Sequence, residues 1–241
     1  EFVSRFIINA TPELVSEWID HGKGNSASRF WTLDPVDGTK GFLRGGQYVV
    51  AFALIVDGEV EIGVIGCPNL SQGFIQDPDG QGSIVVAVKN EGTWLVSPQN
   101  GHAEKQFKVS DVNNPAAARL LRSFEAGHTS VSHLDQIIAN LSTTADPVLL
   151  DSQAKYTILA SGHGDLLFRL ISPSSPNYQE KIWDQAAGSL VVQEAGGMIT
   201  DLDGKRLDFS QGRTLANNRG VLASNGHLHE AALTAIKAAK A

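Results

Sequence analysis

The sequence predicts an α/β protein made of layered sheets and helices, and three observations carry that expectation. Residues 48–66, "YVVAFALIVDGEVEIGVIG", hold two β-rich runs around Asp57-Gly58, a dipeptide strongly associated with two-residue hairpin turns. Residues 83–96, "SIVVAVKNEGTWLV", repeat that design with a turn near Asn90–Gly92. From residue 119 onward, short apolar runs alternate with helical segments and no fixed repeat period appears, which argues for packed layers over a solenoid.

Taken in order, residues 12–20, "PELVSEWID", read as a helix. Thr11 can cap it, Pro12 suits its first turn, and Leu14, Val15, Trp18 and Ile19 form one stripe. Residues 21–28 read as a loop, and Phe30, Trp31 and Leu33 as the apolar end of a strand. The run at 48–56 is apolar almost throughout, so its strand is expected to be covered on both faces. Residues 97–117 are polar, with Pro98 and Pro115, and mark the expected boundary between subdomains 1–110 and 111–241. Strands are expected at 119–124, 147–150, 164–170 and 220–225, and helices at 130–141, 152–162, 184–197 and 227–239. Residues 173–181 read as a loop, the helix at 184–197 has a glycine stop, and Asp201, Asp203 and Gly204 read as a turn.

The bulk composition narrows the function classes. The chain has 241 residues, 42% of them hydrophobic, enough for one large domain or two small ones. No uninterrupted apolar run of about 18 residues predicts a membrane span, and no signal peptide pattern opens the chain. The formal net charge of −7 argues against a nucleic-acid polymer as partner but leaves room for a small phosphorylated ligand held by local charges or cations. Cys67 is the single cysteine, so intrachain disulfides are impossible and a reducing cytoplasm is the simplest setting. The sequons at Asn9, Asn69 and Asn140 are expected to be chance. Met198 is the single methionine, so Glu1 is expected to follow processing or trimming, or to open a fragment.

The chemistry concentrates in "FWTLDPVDGTKGFL", residues 30–43. Asp34 and Asp37 leave an apolar strand and are followed by Gly38, Thr39 and Lys40. Asp-Pro and Asp-Gly are also ordinary turn dipeptides, so these residues alone favour a turn. Two nearby carboxylates at a strand mouth would be partly desolvated and would repel each other unless a positive charge lies between them. Far downstream, "KIWDQAAG" puts Asp184 at an expected helix start, where a carboxylate can also serve as a cap. Together, three carboxylates beside backbone amides suit hard cations such as Mg²⁺, and the amides suit an anion.

"WTLDPVDGTKGFLRG" and "WDQAAGSLVVQEAGG" together resemble the paired signature of the inositol monophosphatase superfamily of metal-dependent, lithium-sensitive phosphatases. The run "DGTKGFLRGGQYVVAFALIVDGEVEIGVIGCPNL" narrows the resemblance to the 3'(2'),5'-bisphosphate nucleotidases, and it covers nearly all of the chain from about Arg29. The resemblance implies a layered αβαβα sandwich whose N-terminal layer is incomplete here. It implies Mg²⁺, two or three ions. Asp34 matches a bridging ligand, the Val36 carbonyl a ligand of the first ion, and Asp37 and Asp184 ligands of the second. Gly38 and Thr39 match amides that hold phosphate, with the Thr39 hydroxyl orienting the attacking water. Paired cations of this kind supply charge for in-line hydrolysis without a covalent intermediate.

The implied substrate is adenosine 3',5'-bisphosphate, losing its 3'-phosphate, and also its sulfated precursor, in sulfur assimilation and salt tolerance. On the subfamily match, Ser152 and Lys155 of "DSQAKY" meet the 5'-phosphate side, Arg169 meets a further phosphate, and Glu125 and His128 of "FEAGH" meet the base and the scissile side. The plainer readings are a solvated helix lysine for Lys155, an exposed strand residue for Arg169 and a loop histidine for His128. Gln47, Tyr48 and Asn69 read as structural. The superfamily's upstream acidic pair has no convincing counterpart, so the first ion is expected to be underliganded, with weak binding and low turnover, and a missing N-terminal segment is the expected partner. The competing functions are an inositol polyphosphate 1-phosphatase and a non-catalytic phosphonucleotide-binding fragment.

Overall fold

The computed structural model describes residues 3–22, 24, 26–124 and 131–239. Helix α1 (Pro12–His21) starts as expected, with the Thr11 hydroxyl accepting the Leu14 amide at 3.3 Å and Pro12 in the first turn. Its apolar stripe is not covered, and Trp18 and Ile19 stay exposed.

Strand β1 (Arg29–Asp37) runs into a short helix, α2 (Thr39–Leu43), that the sequence pattern did not announce. Strands β2 (Val49–Val56) and β3 (Glu59–Cys67) form the first hairpin. Its turn has φ of +49° at Asp57 and +81° at Gly58, the left-handed pair that matches strand twist. The small ribbon β4 (Leu70–Ser71) with β5 (Ile75–Gln76) follows, and then the second hairpin, β6 (Ser83–Val88) with β7 (Gly92–Val96). Part of the segment read as loop forms strand β8 (Ala103–Gln106), which pairs with β7. Its four residues are all exposed, so no alternation marks it in the sequence.

The rest alternates as anticipated, with shorter elements. It comprises β9 (Leu120–Arg122), α3 (Val131–Leu141), β10 (Val148–Leu149), α4 (Ala154–Ala160), β11 (Leu166–Arg169), α5 (Ala186–Glu194), β12 (Met198–Thr200), β13 (Val221–Ser224) and α6 (His229–Ala239). Among the described residues, one sheet has the order β1-β2-β3-β6-β7-β8 and another β10-β9-β11-β13-β12.

Two cores hold these layers. Ile55, Ile65 and Val85 of the first sheet meet Leu159 of α4, Leu190 and Val191 of α5, and Leu167 and Ala223 of the second sheet. A helix placed between two sheets must be apolar on every side, and all seven residues of α4 are buried. The second core packs Leu120, Leu166 and Leu222 of the second sheet on Ile137 of α3 and Ile236 of α6. Helices α4 and α5 approach so closely that a Cβ on Gly188 would lie 2.0 Å from the Tyr156 ring, which leaves room for glycine alone.

One expectation is corrected. Strand β2 is covered on one face and only partly on the other among the described residues: Val49, Ala51, Ala53 and Ile55 point into the core, while on the second face Leu54 is buried, Phe52 is half-buried, stacked on Trp31 at 4.5 Å, and Val50 is exposed. An apolar run thus records composition and not which neighbour covers each face. No helix among the described residues is long and apolar enough to cross a membrane.

Candidate metal centre

The centre starts with an irregularity in β1. Asp34 pairs with Ala51 and Asp37 with Val49, so three steps on β1 match two on β2. Residues three apart on a regular strand face opposite sides, and this bulge at Pro35-Val36 turns both carboxylates to one side. The Asp34 Oδ1 accepts the Val36 amide at 3.0 Å, and the Thr39 hydroxyl donates to the Val36 carbonyl at 3.2 Å. Gly38 has φ +85°, and a Cβ there would lie 2.7 Å from the Cβ of Ser152. The Asp37 Oδ2 accepts the backbone amide of Gln153.

Asp184 reaches the same place from the far half of the chain. It ends a 3-10 turn, Ile182–Asp184, and helix α5 begins two residues later. Gln185, not Asp184, occupies the cap position and makes no side-chain cap bond, so the capping reading of Asp184 does not hold. Asp34, Asp37 and Asp184 each offer one carboxylate oxygen, and these atoms lie within 4.8 Å of one another.

Burial pushes the Asp184 carboxyl up to about 7, and the nearby Asp37, Glu180 and Asp34 add to the rise while Arg169 relieves it. Asp34 is also raised, first by burial and further by Asp37, against the pull of the Val36 amide. A cation among these oxygens would relieve the burial and repulsion that raise Asp34 and Asp184, and an all-oxygen donor set suits a hard divalent ion. The residues present therefore fit such an ion.

A pH dependence follows. Asp184 titrates near 7 when folded and near its ordinary 3.8 when unfolded. Between these values the folded chain binds more protons, so cation-free stability is fullest below the unfolded value and falls as pH rises toward 7. In chelator, the Tm is expected to drop by several degrees between about pH 5 and pH 8, at roughly 2–4 °C per kcal/mol for this size. Added Mg²⁺ is expected to restore it at pH 8 and to help little at pH 5. Scanning calorimetry checks this; a pH response identical in Asp184→Asn would contradict it.

The remaining expected residues surround the three carboxylates unevenly. Arg169 is not a free strand residue: its Nη2 lies 2.7 Å from Glu180 and 3.9 Å from the Asp184 Oδ2. Glu180 also accepts from the Gln185 Nε2 at 2.8 Å, and the Gln185 Oε1 in turn accepts the Tyr156 hydroxyl. Lys155 is not solvated but buried, with its Nζ 3.1 Å from the Ser123 hydroxyl and 3.2 Å from the Leu150 carbonyl. Burial and the nearby Arg169 lower its ammonium to about 8, against the pull of Asp37 and Asp151. The Ser152 hydroxyl donates to the Asp151 carbonyl and accepts the Ala154 amide, a local role at the start of α4. Gln47 and Asn69 bind each other's surroundings, Gln47 to the Asn69 carbonyl and Asn69 to the Gly46 carbonyl, each at 2.7 Å. Asp201 accepts the amides of Asp203 and Lys205 at 2.9 Å, a turn as read. Glu125 and His128 lie outside the described residues.

Sequence reasoning missed Glu180 and Gln153. Glu180 stands four residues before Asp184 in a segment read as loop, where nothing local marks burial. Gln153 lies inside the stretch that was singled out, and an amide set within a buried helix start was the signal available.

Residues 11–241 match the inositol monophosphatase family. The chain is 44% identical to the 3'(2'),5'-bisphosphate nucleotidase of Schizosaccharomyces pombe over 235 residues, covering 96% of this chain and 66% of that protein. It is 44% identical to the enzyme of the same name from Emericella nidulans, covering 93% and 68%. The Oryza sativa protein of that name is 43% identical, covering 91% and 62%. The chain thus spans about two thirds of the length of these curated relatives. Among solved structures, the inositol monophosphatase from Zymomonas mobilis aligns with a TM-score of 0.66 at 26% identity, covering 88% of this chain and 72% of that one. A Thermotoga maritima inositol monophosphatase aligns with a TM-score of 0.68 at 21% identity, covering 95% and 80%, a likeness of fold.

Proposed function

The chain belongs to the inositol monophosphatase family, and from that premise we propose that it carries the catalytic residues of a Mg²⁺-dependent phosphatase that converts adenosine 3',5'-bisphosphate to AMP and phosphate, and that also takes its sulfated precursor. The meeting of Asp34, Asp37 and Asp184 beside Gly38-Thr39 supports the phosphatase reading. The names of the relatives support the nucleotide as substrate.

In this reading Asp34, Asp37, Asp184 and the Val36 carbonyl hold two or three Mg²⁺ ions. When bound, the ions neutralise the phosphate and make water more acidic. Thr39 has its hydroxyl proton directed at the Val36 carbonyl, so its oxygen is free to accept from the attacking water. The Gly38 and Thr39 amides open α2, where helix geometry provides no internal acceptor, and in this reading they would donate to phosphate oxygens. Arg169, steadied by Glu180, and Lys155, in the first turn of α4, supply positive charge for the second phosphate. Ser152, Glu125 and His128 complete the nucleotide contacts. Residues 1–110 supply most cation ligands and 111–241 most substrate contacts. A cytoplasmic setting accords with a single buried cysteine, Cys67, whose thiol burial pushes up to about 12.

Phosphate release is the test. With saturating Mg²⁺, release from adenosine 3',5'-bisphosphate is expected to exceed release from inositol 1-phosphate by at least about tenfold, the worth of one well-placed charged contact. A preference for inositol 1-phosphate would overturn the substrate. Calorimetric nucleotide binding without any hydrolysis would favour a phosphonucleotide-binding module.

A further inference from the structure

Gln153 is 3% exposed and bonds to three pieces of the centre. Its backbone amide donates to the Asp37 Oδ2. Its side-chain Nε2 donates to the Trp183 carbonyl at 2.9 Å, the residue just before Asp184. Its Oε1 accepts the Gly188 amide at 3.2 Å, in the first turns of α5. One residue at the start of α4 therefore joins Asp37 of β1 to the 3-10 turn that carries Asp184.

The consequence follows from the charges. Asp34, Asp37 and Asp184 repel one another, and Asp184 is the one of the three that comes from the far half of the chain. The turn is also held by the Ile182 amide on the Arg213 carbonyl at 3.2 Å and by the Gln185 side chain on Glu180, so a tether toward β1 is a separate requirement. The Gln153 amide supplies it from both ends, donating on one side of Asp184 and accepting on the other. A carboxamide is suited to this, because a carboxylate there would lack the donor for Trp183 and would add a fourth negative charge.

We propose that Gln153 is the positioning residue that sets the separation of Asp184 from Asp34 and Asp37, and thereby the affinity of the centre for a divalent cation. This rests on the reading of the three carboxylates as cation ligands. Gln153 contacts neither substrate nor the reacting atoms. It acts through Asp37 and the Asp184 turn.

The test compares Gln153→Met, which keeps volume and removes both side-chain bonds, with Thr93→Val. Thr93 is also fully buried and loses one bond, to the Val191 carbonyl, without touching the carboxylates. Mg²⁺ and Mn²⁺ affinities are read by titration calorimetry on the whole chain, well below each variant's Tm. Gln153→Met is expected to weaken cation binding by roughly 10–100-fold, the usual effect of removing a residue that orients a ligand. Thr93→Val is expected to lower the Tm and leave affinity unchanged. Adding Gln153→Met to Asp184→Asn is expected to cost little more, since the ligand it orients is gone. Unchanged affinity in Gln153→Met, or equal losses in Gln153→Met and Thr93→Val, overturns the positioning role. A wild-type chain that binds neither ion at millimolar concentration overturns the cation centre itself, and the proposal with it.

Discussion

Asp34→Asn is expected to lower phosphate release by roughly 10²–10³-fold or more, while the chain stays folded. The substitution is nearly isosteric. The new Oδ1 can still accept the Val36 amide, so the bulge that aims the end of β1 is kept. What disappears is one negative charge from three carboxylates whose oxygens lie within 4.8 Å of one another. Cation affinity should fall, because in the proposed reading Asp34 is one of the three carboxylates that would hold the ions. Cation-free stability should hold or rise, because burial and mutual repulsion hold Asp34 and Asp184 above their ordinary range. Activity and stability therefore move in opposite directions, which a fold defect cannot produce. Phosphate release across a Mg²⁺ titration, with Tm in chelator, measures both. Near-normal release would remove the metal reading.

Asp165→Ala is expected to cost about 3–5 kcal/mol of stability, the usual penalty for stripping one partner from a buried ion pair. Asp165 is fully buried just before β11. Its two oxygens accept from the Arg119 guanidinium, both at 2.8 Å, from the Arg119 amide at 2.7 Å and from the Ser110 hydroxyl. Ser110 is in turn bound by Asn225 at 3.0 Å, so one carboxylate ties the entries of β9 and β11 to the exit of β13. Alanine would leave Arg119 two-thirds buried without its partner. Burial alone would raise the Asp165 carboxyl, but Arg119 and Ser110 outweigh it and hold it below the ordinary range. A depressed folded value means this stability is present above the unfolded value and is lost as pH falls through the folded one. The variant should thus lose Tm at pH 7, by ~6–20 °C, and lose progressively less in acid. A loss below about 1 kcal/mol, or one that does not shrink in acid, would contradict this account.

The readable parts of the fold were those whose cause lies within a few neighbouring residues. Asp57-Gly58 takes left-handed φ values, Thr11 caps α1 and Gly196 turns the chain at φ +91° after α5, each as local chemistry dictates. Strands β4, β5, β8 and β12 and helix α2 were not readable, and β8 is wholly exposed, so no period can register there. The alternative reading of Lys155 as a solvated lysine fails because a lysine's burial depends on what α4 packs against, which its neighbours in the chain do not record.

The sequence by itself determined the chemistry available: three carboxylates, a Gly-Thr pair and the turns that bend the chain around them, since residue type and local backbone preference are written residue by residue. Only the tertiary structure decided that Asp34 and Asp37 share a side and that Asp184 meets them. The first outcome depends on how many residues of β1 oppose β2. The second depends on α5 lying between the two sheets with Gln153 tethering its approach, and contacts between residues so distant in the chain arise from packing, which no short stretch of sequence records.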